Sequence, residues 1–367
     1  MKNKKTIAFT IHSLNAGGSE RVVCALANEL IKHYNVKIIC LENSKPFYEL
    51  DPKIKLLSCE LRVSKDQTKI ASIKNHKNTV KKISTYIKNE SIDLLIGFTT
   101  SVNVLSLMAA KLNRIPIIIS ERNNPVADPP NLLWKSLRNV FYRFAQALIV
   151  QTSSSKLFFS KIISPQKIII IKNPIDPLLA SKRKRESKSS SHKTILTVGR
   201  LDANKSQDLL LKAFAKIKDK HLWKLYIVGE GKNMEQYKTL AKQLQIDSYT
   251  HFEGNVSNIY DYYNHASIFV FTSKSEGYPN ALSEALFFGI PCISTNCLFG
   301  PSDLITHEKN GILIDVDDQK MLEHQLKRLM ADENLRAKLS NNAIEKSKKL
   351  NMRLISSLWI KQINKLI

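Results

Sequence analysis

Ser275-Glu276-Gly277-Tyr278-Pro279-Asn280-Ala281-Leu282-Ser283-Glu284 sets two carboxylates eight positions apart, with a Gly, a Pro and an Asn between them. The apolar run IFVFTS (residues 268–273) precedes this stretch, and an alanine- and leucine-rich pattern continues beyond it. The order reads as a buried strand, a tight loop and a helix whose first turn carries Glu284. With a rise of about 1.5 Å per helical residue plus the loop, the carboxylates stand roughly 10 Å apart. Such a spacing suits hydroxyls at two ends of one ligand better than a shared metal ion or a shared proton. The N–H groups of the helix start lie between the carboxylates and favour a phosphate. Taken alone, the spacing is also met by a surface carboxylate followed by an ordinary helix-start Glu, so the rest of the chain has to decide.

Strand and helix patterns alternate in both directions from this junction. In the second half TILTVG (194–199), KLYIVG (224–229), HFEG (251–254), SIFVFTS (267–273), PCIST (291–295) and GILID (311–315) read as strands. In the first half TIAFTI (6–11), VKIICL (36–41), DLLIGF (93–98), PIIIS (116–120), ALIVQT (147–152) and KIIII (167–171) do the same, with helix patterns over 20–33, 103–112 and 132–144. Near-continuous apolar strands between helices imply parallel sheets covered on both faces. The run SKRKRESKSSSHK (181–193) has no apolar residue and reads as a linker. The expected organisation is α/β: two Rossmann-like, doubly wound domains facing a cleft, over residues 1–178 and 194–345. The linker covers 179–193, and a helical tail, 346–367, crosses back to the first domain. Folds of this kind take their ligands at the strand ends.

A chain of 367 residues with 43% apolar content supports two cores of ordinary size. No apolar run is long enough for a membrane-spanning helix. The start MKNKKTIAFTI reads as a first strand rather than a cleaved signal, so a cytoplasmic location is expected. The five cysteines are scattered without zinc-ligand spacing and read as reduced structural thiols. A formal charge of +24 has three competing explanations: nucleic acid, an anionic membrane face, or a lysine-favouring composition. No nucleic-acid-binding module accompanies the charge. Membrane attraction of about 1 kcal/mol per well-placed Lys needs no motif and is preferred.

Four further loops follow strand patterns. His12-Ser13-Leu14-Asn15-Ala16-Gly17-Gly18-Ser19-Glu20-Arg21 opens the first helix, with two glycines that let backbone approach an anion. Val198-Gly199-Arg200-Leu201-Asp202 is followed by Lys205, which pairs a bidentate guanidinium with a compact ammonium, a combination suited to a diphosphate. As a bare pair, Arg-x4-Lys is more often a solvated surface pair. Gly254-Asn255-Val256 is a third turn, and Gly229-Glu230-Gly231 a fourth. Asp315, Asp317 and Asp318 stand just before a helix pattern and read as capping residues rather than metal ligands.

Together GGSERV, VGRL with its Lys, EGYPNALSE and Gly300-Pro301-Ser302-Asp303-Leu304-Ile305 resemble, in order and over nearly the whole chain, the retaining glycosyltransferases of family 4, which have the GT-B fold. The resemblance implies metal-independent transfer of a hexose or N-acetylhexosamine from a UDP-sugar. The implied donor-site residues are Gly17, Gly18, Arg200, Lys205, Gly254, Asn255, Val256, Glu276, Gly277, Tyr278, Pro279, Asn280, Ala281 and Glu284. Arg200 and Lys205 are expected to neutralise the departing diphosphate, Glu276 to hold donor-sugar hydroxyls and Glu284 the ribose. At the end of the strand PIIIS, Glu121 and Arg122 stand where many relatives carry a His. Glu121 is therefore the candidate beside the reacting sugar and Arg122 an acceptor contact. The variant resembles a subgroup that extends polyprenyl-diphosphate glycans.

Two basic, amphipathic stretches are expected to dock on anionic lipid and hold a lipid-linked acceptor on the inner face of the cytoplasmic membrane. One runs over residues 65–88 with Lys65, Lys69, Lys74, Lys77, Lys81 and Lys82, interleaved with Ile70 and other apolar residues. The other carries Trp134 and Arg138 within 132–144. Core-packed helices with a solvated basic face satisfy the same pattern. Two rivals to the transferase are a sugar-nucleotide epimerase, betrayed by donor change without acceptor, and a basic nucleic-acid-binding protein, betrayed by salt-sensitive duplex binding without UDP affinity.

Overall fold

The computed structural model describes residues 4–61, 69–184 and 193–367. By contact density the chain divides into Met1–Pro174 together with Met352–Ile367, and Ile175–Asn351. The first unit holds β1 (Thr6–Ile11), β2 (Asn35–Cys40), β3 (Lys55–Ser58), β4 (Leu94–Phe98), β5 (Ile117–Ser120), β6 (Ala147–Val150) and β7 (Ile168–Ile170), all parallel, in the order β3-β2-β1-β4-β5-β6-β7. Phe9 of β1 is registered between Ile38 of β2 and Ile96 of β4.

Alternation of side chains across β1 builds two cores at once. Ile7, Phe9 and Ile11 join one cluster, with Val23 and Leu26 of α1 (Gly18–Leu30) and with Trp359 and Ile363 of the last helix, Met352–Ile363. Ala8 joins the other, with Ile83 and Ile87 of α2 (Lys69–Asn89), Val104 and Leu107 of α3 (Thr100–Asn113), and the partly buried Trp134 and Leu137 of α4 (Leu132–Phe141). Trp359 stacks on Phe98 at 6.0 Å, and the Tyr34 hydroxyl donates to Asn364 Oδ1 at 2.5 Å. The last helix thus packs as part of the first unit.

The second unit holds β8 (Thr194–Val198), β9 (Lys224–Val228), β10 (Thr250–Gly254), β11 (Ile268–Phe271), β12 (Cys292–Thr295) and β13 (Ile312–Ile314), again parallel, in the order β10-β9-β8-β11-β12-β13. Ile195 and Ile227 face one cluster, and Leu196 and Phe269 the other.

The reading of the sequence places twelve of these strands within a residue or two of their observed bounds. It omits β3, an edge strand of four residues whose first two are exposed, which leaves too little apolar signal. The expected linker begins as a helix, Pro177–Lys182, started by the Asp176 carboxylate on the Leu178 N–H at 2.8 Å. Residues 185–192 of that linker, Lys65, and the side chains of Lys69 and Ile70 lie outside the described residues. No helix among the described residues is long and apolar enough to cross a membrane.

Candidate active site

Strand order in the second unit reverses between β8 and β11, and open parallel sheets hold ligands at the carboxyl ends of strands flanking such a reversal. The loops leaving those two strands carry the predicted residues, and hydrogen bonds tie them together. Asn204 Nδ2 donates to the Ser275 carbonyl at 2.9 Å, and the Lys274 N–H to the Asn204 carbonyl at 2.8 Å. The Thr272 hydroxyl donates to the Lys205 carbonyl at 2.8 Å. Across this seam Lys205 Nζ reaches Glu276 Oε1 at 2.5 Å, with side chains only 21% and 9% exposed. Lys205 also lies 5.3 Å from the centre of the Phe271 ring. Beside the pair, burial pushes the Cys297 thiol up to about 12, Glu276 raising it further against Lys205, so it stays protonated and unreactive. Arg200, 73% exposed in its side chain, donates from Nε to Asp202 Oδ2 at 2.6 Å.

A cavity of about 430 Å³ opens beside Arg200, which helps to line it. Val198, Val228, Val256 and Ile259 supply its apolar walls, with Arg200, Glu230 and Asn255 as polar members. Asn255 Nδ2 donates to Glu230 Oε2 at 2.9 Å, and the Gly229 N–H bonds the Gly254 carbonyl at 2.8 Å. A Cβ on Gly229 would stand 2.2 Å from the Gly199 carbonyl oxygen, so the backbones of these two turns approach as only glycine permits. Its size and mixed lining suit a nucleoside. A larger cavity, about 610 Å³, lies at the opposite ends of β8 and β9, lined in part by Thr194, Lys224 and Tyr262; none of the predicted site residues lines it.

Glu284 is on the helix Asn280–Phe287, buried, with Oε2 accepting from the Tyr263 hydroxyl at 2.9 Å. Tyr263 is itself locked by stacking on Phe288 at 5.1 Å. The loop before this helix is braced from outside its own sequence. Gly300 has φ +119, and a Cβ there would meet Pro279 Cδ at 2.3 Å. Gly300→Ala therefore combines backbone strain with displacement of Pro279. We expect a loss of about 1–3 kcal/mol in stability and a raised donor KM, checked by urea denaturation and steady-state kinetics.

Asp318 Oδ1 accepts from the Met321 N–H at 2.9 Å, which makes it the cap of the helix Gln319–Ala331, while Asp317 pairs with Lys274 at 2.8 Å. Among the described residues no group of three or more His, Cys, Asp or Glu could hold a metal ion.

In the first unit Gly17 is the cap residue of α1 and its carbonyl accepts from the Arg21 N–H at 3.0 Å, with Gly18 as the first helical residue. Glu121 and Arg122 follow the end of β5, and both side chains are buried. The Glu121 carboxylate is buried, accepting from the Tyr142 hydroxyl and from Thr100 Oγ1 at 2.9 Å. Burial pushes this carboxyl up, against the Tyr142 and Thr100 hydrogen bonds and the Arg138 charge. In this structure the Glu121 carboxylate is therefore bonded within the first unit, to Tyr142 and Thr100. Arg122 is also buried, with Nη1 on Asn173 Oδ1 and its guanidinium 4.6 Å from the centre of the Phe98 ring.

The expected membrane residues divide. Lys74, Lys77 and Lys81 are exposed on α2, while Lys82 is half-buried and paired with Glu60 at 2.7 Å. Trp134 packs edge-on to His76 at 5.0 Å and joins α4 to α2. Arg138 is corrected: only 2% exposed, it lies 5.5 Å and 5.6 Å from the Phe158 and Phe159 ring centres. The exposed residues of α4 are mixed instead, Leu132, Leu133 and Val140 standing beside Lys135, Ser136 and Asn139.

Reading the sequence misses Tyr263, whose partner lies 21 residues away with no local signal, and Asn204 and Asp202, whose Asp-x-Asn spacing is a turn signature.

Two family models cover the chain: glycosyl transferases group 1 matches residues 180–346, and glycosyltransferase family 4 matches residues 16–178. A Campylobacter jejuni protein named as a GalNAc-alpha-(1->4)-GalNAc-alpha-(1->3)-diNAcBac-PP-undecaprenol alpha-1,4-N-acetyl-D-galactosaminyltransferase is 33% identical, over 97% of this chain and 98% of its own. A second from that organism is named as an N-acetylgalactosamine-N,N'-diacetylbacillosaminyl-diphospho-undecaprenol 4-alpha-N-acetylgalactosaminyltransferase. It is 29% identical, over 93% and 94%. Among solved structures, Anabaena HepE in complex with UDP matches with a TM-score of 0.78, 16% identity and coverage of 99% and 100%. A Rickettsia africae glycosyltransferase matches with a TM-score of 0.83, 18% identity and 99% of both chains. With both halves matched by family models and one relative a third identical along its whole length, the chain belongs to glycosyltransferase family 4 and has the GT-B fold.

Proposed function

We propose that this glycosyltransferase moves an N-acetylhexosamine or hexose from a UDP-sugar to a polyprenyl-diphosphate-linked glycan, with retention at the anomeric carbon, in the assembly of a bacterial surface polysaccharide or glycan precursor. The observation that carries the donor side is the pair of loops at the β8–β11 reversal, which presents Arg200, Lys205 and Glu276 beside a nucleoside-sized cavity. The acceptor class is supported by the two Campylobacter relatives, whose names specify undecaprenol-linked glycans.

In this reading the uracil enters the cavity lined by Val198, Gly254, Asn255 and Val256, and Glu284, oriented by Tyr263, accepts from the ribose hydroxyls. Arg200 and Lys205 neutralise the charge that grows on the departing diphosphate, the electrostatic contribution that usually dominates such a step. Glu276 takes hydroxyls of the donor sugar, helped by backbone N–H groups around Gly277 and Ala281. The acceptor attacks on the face the diphosphate leaves, and the leaving diphosphate takes the acceptor's proton, so no enzymic nucleophile is required. Two side-chain cations supply the positive charge, so a chelator is expected to leave turnover unchanged. Incubating the protein with a panel of UDP-sugars and undecaprenyl-diphosphate glycans, with and without EDTA, tests the proposal by mass spectrometry. A mass gain of one sugar on one acceptor class supports it, and no gain from any pair rejects it.

The protein acts peripherally on the inner face of the cytoplasmic membrane in the same proposal. Support comes from exposed Lys74, Lys77 and Lys81 on α2 and from the exposed leucines at the start of α4, two helices joined through His76 and Trp134. At about 1 kcal/mol per lysine near an anionic surface, replacing all three by Glu is expected to cut co-sedimentation with phosphatidylglycerol vesicles at least about a hundredfold. Unchanged sedimentation would remove this face from the account.

A further inference from the structure

Asp202 is a carboxylate of the site that the transfer chemistry leaves without a task. Its two oxygens are used differently. Oδ2 accepts from Arg200 Nε at 2.6 Å, and Oδ1 accepts from the backbone N–H groups of Asn204 and Lys205, both at 3.0 Å. The backbone of Asp202 is anchored too, its carbonyl accepting from the buried Tyr237 hydroxyl at 3.0 Å. One well-held carboxylate therefore contacts both expected diphosphate ligands, one through its side chain and the other through the turn that carries it.

The need for such a residue follows from Arg200 itself. A guanidinium that is 73% exposed on a flexible stem samples many rotamers, and fixing it on a ligand costs conformational entropy. Committing Nε to Asp202 removes that freedom beforehand. Arg200 has five N–H donors, and the four on its Nη atoms have no protein acceptor among the described residues. Burial pushes the Asp202 carboxyl up, yet the Arg200 hydrogen bond, the Lys205 N–H, the Arg200 charge and the Asn204 N–H outweigh it and hold it below the usual carboxylate range. The pair is thus charged at neutral pH.

We propose that Asp202 is the positioning residue of the donor site: it fixes the Arg200 guanidinium through Nε, leaving the Nη donors for a nucleoside diphosphate, and it builds the turn that presents Lys205. The inference rests on the donor-site reading above and goes beyond it by assigning the preorganisation of that site to one side chain. Asp202 acts through Arg200 and Lys205 and touches no reacting atom.

Asp202→Asn separates the two tasks. The amide oxygen still accepts from the turn, but the side chain no longer carries the charge that holds Nε. Calorimetric titration of UDP into wild type, Asp202→Asn, Arg200→Ala and the double variant tests this, with thermal melts alongside. We expect UDP affinity to fall about tenfold in Asp202→Asn while the melting temperature stays within about two degrees, and the same change made in Arg200→Ala to cost less than about twofold, the non-additivity of residues acting as one unit. Asp202→Ala, which loses the turn as well, is expected to bind more weakly still. Wild-type affinity in Asp202→Asn, or effects that add in the double variant, overturns the inference while leaving the donor site standing. A wild-type protein that binds no UDP overturns both.

Discussion

Lys205→Ala is expected to lower kcat by about a hundredfold to a thousandfold, the effect of removing one preorganised group from a site of developing negative charge. The same variant should weaken UDP binding, because its proposed target is the diphosphate. Glu276→Ala is expected to lose turnover on a similar scale by a different route. Its proposed target is the donor sugar, which UDP lacks, so UDP affinity should hold within about threefold while the donor KM rises. Geometry sharpens the contrast. Lys205 and Glu276 are bonded to each other at 2.5 Å in a largely buried seam, so each substitution leaves the other charge without its partner. A purely structural pair would lose stability equally in both variants and leave UDP affinity alike in both. Steady-state kinetics, UDP calorimetry and thermal melts on the two proteins separate these outcomes.

The largest effect on stability is expected at Trp359. This side chain is fully buried and stacks on Phe98 at 6.0 Å with an interplanar angle of 12°. Ile355 and Ile363 of the same helix share its core with Phe9 and Ile96. Trp359→Ala should cost about 3–5 kcal/mol, felt in the unit formed by Met1–Pro174 and Met352–Ile367. Phe98 also carries the Arg122 guanidinium, 4.6 Å from its ring centre. A calorimetric scan is expected to show one transition moving down sharply while UDP binding, which the proposed function assigns to the other unit, persists. A loss under about 1 kcal/mol would mean that the last helix is not integral to the first unit.

The strands were legible because parallel strands covered on both faces are largely apolar; Ile268–Phe271 shows this without interruption, and Thr6–Ile11 is broken only by Thr6 and Thr10. The loops of the proposed donor site were legible as strand-end turns because their glycines and charged residues recur at local spacings. What was not legible depends on contacts between distant positions. Glu121 looked exposed at a strand end, yet Tyr142 and Thr100 close over its carboxylate. Arg138 fitted a basic helical face by its charge, but it turns inward onto Phe158 and Phe159. The Gly300 turn bears on Pro279, a relation that no window of sequence contains.

The most direct test measures one reaction twice, counting UDP released and sugar gained by an undecaprenyl-diphosphate glycan, for wild type and for Lys205→Ala. Equal amounts of the two products from the wild type, both falling together in the variant, are what a transferase built on these loops must give. UDP release with no gain on any acceptor, a donor sugar altered without acceptor, or undiminished transfer by Lys205→Ala would contradict it.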